Sequence, residues 1–230
     1  EQLKNTNNIK LPIKLNISDI EHKYLKTHHK VNITKINNDP LVGIINGLWA
    51  NSLGNGGIIH IQTKYMPSNN LLELKLTGQQ GDVMQESMNV AKTLALNLLS
   101  EQEKDILFKN LENNKFKGIH IHCPEGAMKK DGPSAGIAIT MALYSLFTNK
   151  KIKNNIALTG EINLQGNVTE IGGLDCKIIG GIKAGVKHFI YPKSNSKDFN
   201  DFKEKYKTKK LENIKFNEVS NVYNVIDLIF

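Results

Sequence analysis

The stretch with most chemical promise is Pro124-Glu125-Gly126-Ala127-Met128-Lys129-Lys130-Asp131-Gly132-Pro133-Ser134-Ala135-Gly136. A strand-like run ends there, a loop of small and turn-forming residues follows, and Ser134 stands where an apolar helix begins. That position suits a nucleophile. Backbone N–H groups at a helix N-terminus lack intrahelical partners and point outward, where they could stabilise a developing oxyanion. Small neighbours at Gly132, Ala135 and Gly136 would let a peptide approach closely. The same position equally suits a plain cap, with Ser134 or Asp131 closing the helix end, and position alone does not separate the two readings.

A serine needs a base before it can attack. No His and Asp pair stands out as a triad, but a lysine serves if burial lowers its pKa from ~10.4 toward ~7–8. Context singles out Lys177 among 30 lysines. It lies in Gly172-Gly173-Leu174-Asp175-Cys176-Lys177-Ile178-Ile179-Gly180-Gly181-Ile182, one of the least polar settings any lysine has here. On a helical wheel Leu174, Ile178 and Ile182 share a face, with Lys177 at its margin and Lys183 nearly opposite. Lys177 could thus be drawn inward, although a lysine at such a margin also snorkels to water. A competing pattern, Ser194-Asn195-Ser196-Lys197, matches the S-x-x-K of penicillin-binding enzymes. It follows Pro192 in what reads as a polar loop, opens no apolar helix and lacks S-D-N or K-T-G companions, so it is set aside. His120, His122 and Cys123 are a poor metal set, because successive strand residues alternate faces. Cys123 and Cys176 fit no zinc spacing and point to a reducing compartment.

The elements that must position these groups are legible in outline. Residues 1–38 are rich in Asn and Lys, with a capping-box pattern at Ser18-Asp19-Ile20-Glu21 and an apolar face from Ile20, Tyr24 and Leu25. Asn37-Asn38-Asp39-Pro40 is a turn signal, and a domain boundary is placed there. Strands are expected over 41–45, 58–63, 71–76, 118–123, 156–159 and 186–191, with a turn at Gly54-Asn55-Gly56-Gly57. Helices are expected over 83–99 (Val83, Val90, Leu94 and Leu98 on one face), 134–147, 174–184 and 222–230. Strands mixed with helices make the fold class α+β or mixed α/β, and no internal repeat is visible.

Composition fits a globular protein, with 40% hydrophobic and 23% charged residues over a 230-residue chain. The longest apolar run, 136–147, is too short to cross a bilayer, so no membrane partner is expected. Residues 1–26 show no signal-peptide core, so no secretory targeting is expected from this sequence. A net charge of +8 suggests nucleic acid. Yet every basic residue is lysine, which lacks the guanidinium fork suited to guanine and phosphate. Together with 28 asparagines this usage fits an A/T-rich genome as well as a basic surface. DNA is kept as an alternative partner. No G-x-x-x-x-G-K-[ST] occurs, so the chain should not itself hydrolyse ATP.

Four segments carry a family resemblance: Leu76-Thr-Gly-Gln-Gln-Gly-Asp-Val-Met-Gln-Glu-Ser87, Pro124 to Gly136, Leu158-Thr159-Gly160-Glu161, and Ile171-Gly-Gly-Leu-Asp-Cys-Lys177. In order and spacing, from about residue 41 to 230, the chain resembles the proteolytic domain of ATP-dependent Lon proteases. The resemblance implies a serine endopeptidase whose dyad is Ser134 and Lys177, 43 residues apart. It implies that Thr159 helps hold the lysine and that Asp131 approaches it in a closed, inactive state. It also carries Gly132, Pro133, Glu125 and His122, with its neighbour His120, into the site as supporting residues. For Thr159, Asp131 and the histidines the plain alternatives are a strand residue, a cap and a solvated or interface face.

Two departures stand out. The family's Ala-Thr-Pro-Lys is here Ala127-Met128-Lys129-Lys130, and Asp175-Cys176 replaces a common Lys-Glu. The resemblance implies no cofactor for this chain, with ATP and Mg used by an ATPase upstream, of which residues 1–38 would be the end or linker and 39–230 the proteolytic domain. It implies unfolded protein or peptide substrates, a homohexamer, and a mitochondrial matrix location or, alternatively, a bacterial cytoplasm.

Overall fold

The computed structural model describes residues 16–25, 33–124, 131–206 and 211–230. The chain forms two compact units, Glu1–Asn32 and Ile33–Phe230. In the first, helix α1 (Ile17–Asp19) continues as a π-helical turn, Ile20–Tyr24. Of the capping box expected at 18–21, the Glu21 side chain lies outside the described residues, and a reciprocal pair is present two residues earlier. Asp19 N–H donates to Asn16 Oδ1 at 2.7 Å and Asn16 N–H returns to Asp19 Oδ2 at 3.4 Å. Asn16 precedes Asp19 with the same three-residue spacing, and its short side chain reaches the open N–H as well as serine would. Ile20, Tyr24 and Leu25, expected as an apolar face, are exposed.

The second unit is built on a seven-stranded sheet. Its strands are β2 (Ile44–Ala50), β3 (Gly56–Met66), β4 (Leu74–Thr77), β5 (Gly118–His122), β7 (Ile156–Leu158), β10 (His188–Pro192) and β11 (Lys215–Val219), in the order β11-β10-β7-β2-β3-β5-β4. Pairing is parallel except on both sides of β3, so β3 alone runs against the rest. Short pieces stand outside it: β1 (Leu41–Val42) pairs with β6 (Lys151–Ile152), and β8 (Glu161–Ile162) with β9 (Val168–Thr169). Among the described residues the helices of this unit are α2 (Asp82–Asn97), α3 (Glu101–Glu112), α4 (Gly136–Thr148), α5 (Leu174–Ala184), α6 (Ser196–Lys205) and α7 (Ile226–Ile229), besides short 3-10 turns.

Side-chain alternation on the strands assigns the two faces. Ile45, Ile59 and Ile61 point to one side and pack with α2 and α4. Leu48 and Ile58 point to the other and pack with Leu174 and Ile178 of α5, Phe189, and Phe199 and Phe202 of α6. Helix α4 is apolar all round and buried from Gly136 to Phe147, as a helix enclosed between sheet and α2 must be. Helix α5 comes unusually close to the sheet. A Cβ on Gly180 would lie 2.1 Å from the carbonyl carbon of Gly56, and one on Gly56 would lie 2.1 Å from Cys176 O. Only glycine at both places permits that approach.

Several expectations shift. The strand expected over 71–76 is Leu74–Thr77, because Leu72 turns the chain with φ +53 and buries its side chain. In α2 the buried face is Met84, Ser87, Met88, Ala91, Leu94 and Ala95, while Val83 is exposed. The closing helix is split into a 3-10 turn, Val222–Val225, and α7. The polar loop expected after Pro192 is a 3-10 turn, Lys193–Asn195, leading into α6, whose Phe199 and Phe202 reach the core.

Candidate functional site

Helices α4 and α5 lie on opposite faces of the sheet, yet both begin at the carboxyl ends of its parallel strands. That end of an open α/β sheet is where ligands bind. Ser134 stands in a 3-10 turn, Pro133–Ala135, one step before α4 proper. Gly132 enters that turn with φ +110, a conformation a side chain would strain. Pro133 follows, its fixed φ suited to a helix start.

Just beyond β7, Thr159 is fully buried. Its Oγ1 donates to Ser134 O at 3.2 Å, and Gly160 N–H donates to the same oxygen at 2.8 Å. Lys177 Nζ in turn donates to Thr159 Oγ1 at 3.1 Å. Thr159's own N–H is held by Ile190 O of β10 at 3.1 Å. One hydroxyl therefore ties the turn bearing Ser134, on one face, to the helix bearing Lys177, on the other. Ser134 and Lys177 are bridged by this threonine rather than joined directly.

Lys177 is only 3% exposed, while Lys183 lies in water as the helical wheel implies. Burial pulls the Lys177 ammonium down to about 8, and among the described residues no carboxylate is paired with it to oppose that shift. A desolvated amine beside a helix-start serine is an arrangement for nucleophilic catalysis. The family described as "Lon protease (S16) C-terminal proteolytic domain" matches residues 16–230. The chain belongs to the Lon protease family.

Among its Lon relatives is the Lon protease of Fervidobacterium nodosum, 38% identical over 191 residues, covering 82% of this chain and 22% of that protein. The Lon protease of Borrelia duttonii is 42% identical over 189 residues, covering 82% of this chain and 22% of its own length. A Lon protease homolog of Acanthamoeba polyphaga mimivirus is 40% identical over 196 residues, covering 81% and 18%. The chain thus spans about a fifth of the length of these curated relatives. It corresponds to the family's C-terminal proteolytic domain.

Other expected residues of this Lon domain divide between positions near the dyad and positions elsewhere. The Asp131 carboxylate accepts from Gly132 N–H at 2.9 Å and from Met84 N–H at 3.3 Å, against the bare backbone of Gly81. In this conformation it caps α2, where a negative charge suits the helix N-terminus. His120 and His122 share the half-buried face of β5, opposite the fully buried Ile119 and Ile121. Thr77 Oγ1 lies between them, 2.8 Å from His120 Nε2 and 2.7 Å from His122 Nδ1. Glu125 and the departure at 127–130 lie outside the described residues. Cys176 is half-buried, its thiol pushed up by burial and by Asp175. Among the described residues no group of three or more His, Cys, Asp or Glu side chains could share a metal ion, and no helix is long and apolar enough to cross a membrane.

Sequence patterns assigned no role to Gly160, whose N–H fixes the Ser134 carbonyl, although it lies inside the Leu158-Thr159-Gly160-Glu161 segment. They also passed over Asn46, whose Nδ2 reaches Asn154 O and Ile156 O and seats the start of β7. A lone asparagine within an apolar strand run was the available signal.

Proposed function

We propose that this Lon domain is a serine endopeptidase in which Ser134 is the nucleophile and Lys177 the general base. The observation that carries the reading is Lys177 itself. It is buried, relieved of its charge near pH 8, and tied by Thr159 to the turn that holds Ser134. Neutral Lys177 takes the proton as Ser134 Oγ attacks the scissile carbonyl. Backbone N–H groups of the turn stabilise the tetrahedral oxyanion. Lys177 returns the proton to the leaving amine, and water activated by the same amine then hydrolyses the acyl-enzyme. Gly132 and Pro133 shape the turn, and Thr159 holds the lysine. Asp131 and His122 belong to the loop and strand end that border the site.

The substrates in this reading are unfolded or damaged proteins. They are delivered by an ATPase module preceding the domain, with residues 1–38 as its end or linker and 39–230 as the peptidase, in a homohexamer. Bacterial relatives favour a bacterial type of cytoplasm over the mitochondrial matrix as its setting. No cofactor is assigned to this chain. The test is cleavage of a fluorogenic peptide and of unfolded casein by the chain beside its Ser134→Ala variant. Cleavage lost in the variant supports the reading. Equal cleavage in both removes Ser134 as nucleophile.

A further inference from the structure

The Ser194-Asn195-Ser196-Lys197 segment, set aside as a catalytic motif, contains a fully satisfied buried amide on the α5 side of the sheet. Asn195 is 3% exposed. Its Oδ1 accepts from Ile171 N–H at 3.0 Å, and its Nδ2 donates to Ile171 O at 2.9 Å and to Asp198 Oδ2 at 2.6 Å. The side chain thus grips both backbone groups of one residue, as a paired strand would, and Asp198 fixes which way the amide faces.

Ile171 is the last anchored residue before α5. Gly172 and Gly173 continue along the rim of a cleft of about 450 Å³ between α5 and α6, lined also by Leu174, Asp175, Asp198 and Phe202. A Cβ on Gly172 would touch nothing, and one on Gly173 would meet only Ala50. Gly173, at the N-cap of α5, supplies no side-chain cap. Lys177 lies one turn further along, and its own N–H bonds back to Gly173 O at 3.0 Å. Buried Leu174 packs the first turn of α5 onto the sheet, and the grip on Ile171 fixes the backbone just ahead of it.

We propose that Asn195 is a positioning residue for Lys177: by clamping Ile171 it fixes the entry of α5 and so the seat of the lysine amine against Thr159. This rests on Lys177 being the base, and it names a residue of the Lon domain that acts on the reaction without touching substrate. Loosening the clamp lets α5 lift at its start and admits water to Lys177. The amine then charges more readily and turns away from Thr159, while the surfaces that bind substrate stay as they are.

The experiment titrates Lys177 by NMR on chain carrying labelled lysine, the signal assigned by its loss in Lys177→Met, and follows peptide cleavage against pH in parallel. In Asn195→Ala the lysine midpoint should rise by about one unit, and kcat should fall ~10-fold with KM within about twofold. Asp198→Ala, which loosens the amide but leaves both bonds to Ile171, should move the midpoint the same way by less, and it decides the matter if Asn195→Ala does not fold. Ser194→Ala, exposed in the same turn, should change neither. A lower melting temperature with an unmoved midpoint would reduce Asn195 to a structural residue and overturn the proposal. Absence of cleavage by the unaltered chain would count against the peptidase reading alone, since the titration still reads the clamp.

Discussion

A buried lysine gives this domain opposite pH demands for stability and for chemistry. Folded, Lys177 titrates near 8; its ordinary value is 10.5. Between those values the unfolded chain binds more protons than the folded one, so stability rises with pH across the window. Below pH 8 both states are charged, and the folded one carries the full desolvation cost, about 3 kcal/mol for a shift of that size. Chemistry needs the neutral amine, so cleavage should climb through an apparent pKa of about 8. Lys177→Met should abolish cleavage yet melt higher than the unaltered chain at pH 7, by ~6–12 °C, with the gain gone above pH 10.5. Melting curves at the two pH values check this. Equal melting at pH 7 would mean the ammonium is solvated after all.

At the scale of elements, the contact between α5 and the start of β3 decides where Lys177 can be. Alanine is the better helix former by about 1 kcal/mol, so propensity alone predicts that Gly180→Ala stabilises. The structure reverses the sign. The new Cβ would stand 2.1–2.3 Å from Gly56 C, Gly56 O and Gly57 N, all backbone atoms that cannot swing aside. Helix α5 must lift, at a cost of ~1–3 kcal/mol, and Lys177 moves away from Thr159. Gly180→Ala should therefore melt lower and lose most peptide cleavage, while Gly172→Ala, where a Cβ meets nothing, should melt unchanged. Unaltered melting of Gly180→Ala would show that the helix has room to spare.

The same elements show what the sequence could and could not disclose. Helix α5 was legible over its whole length, 174–184, because its apolar residues are dense and a glycine closes it. Buried α4 and the alternating β5 were legible for the same reason. Helices α3 and α6 passed unseen, since α3 buries only Leu107 and Leu111 and α6 only Phe199 and Phe202. For α3 a signal existed: Ser100 and Glu103 form a reciprocal capping box. Strand β11, Lys-Phe-Asn-Glu-Val, has weak alternation and gains its order from pairing with β10. In the site, Lys177 stood out by its apolar neighbours. The bridge through Thr159 and the clamp by Asn195 join residues 18 and 24 positions apart from their partners, and nothing local encodes such contacts.

Across the whole of the second unit, the same helix is held at both ends. Its carboxyl end is met by residues 33–38, which lead into β1. Ile36 N–H donates to Ala184 O at 3.1 Å, and Lys35 Nζ donates to Lys183 O. Both close carbonyls that a helix C-terminus leaves open, and the lysine charge also suits that end of the dipole. His60 Nε2 lies 2.9 Å from Lys35 O, and Asn154 Nδ2 reaches Asn37 O and Asn38 O at 2.8 Å each. The chain entering the unit is thus bonded to α5, to β3 and to the approach to β7, the elements that carry or adjoin Lys177 and Thr159. A chain beginning at Asp39 loses this strap, while one beginning at Ile33 keeps it. At about 1 kcal/mol for each of these five bonds, the shorter chain should melt ~10–20 °C below the longer one. Its cleavage should fall too, because the carboxyl end of α5 is freed to fray toward Lys177. Thermal melts and peptide cleavage of the two chains, side by side at about pH 8 where half of Lys177 is neutral, check this. Matching melts would mean that residues 33–38 only lie along the surface, and that α5 keeps its place through the sheet contact alone.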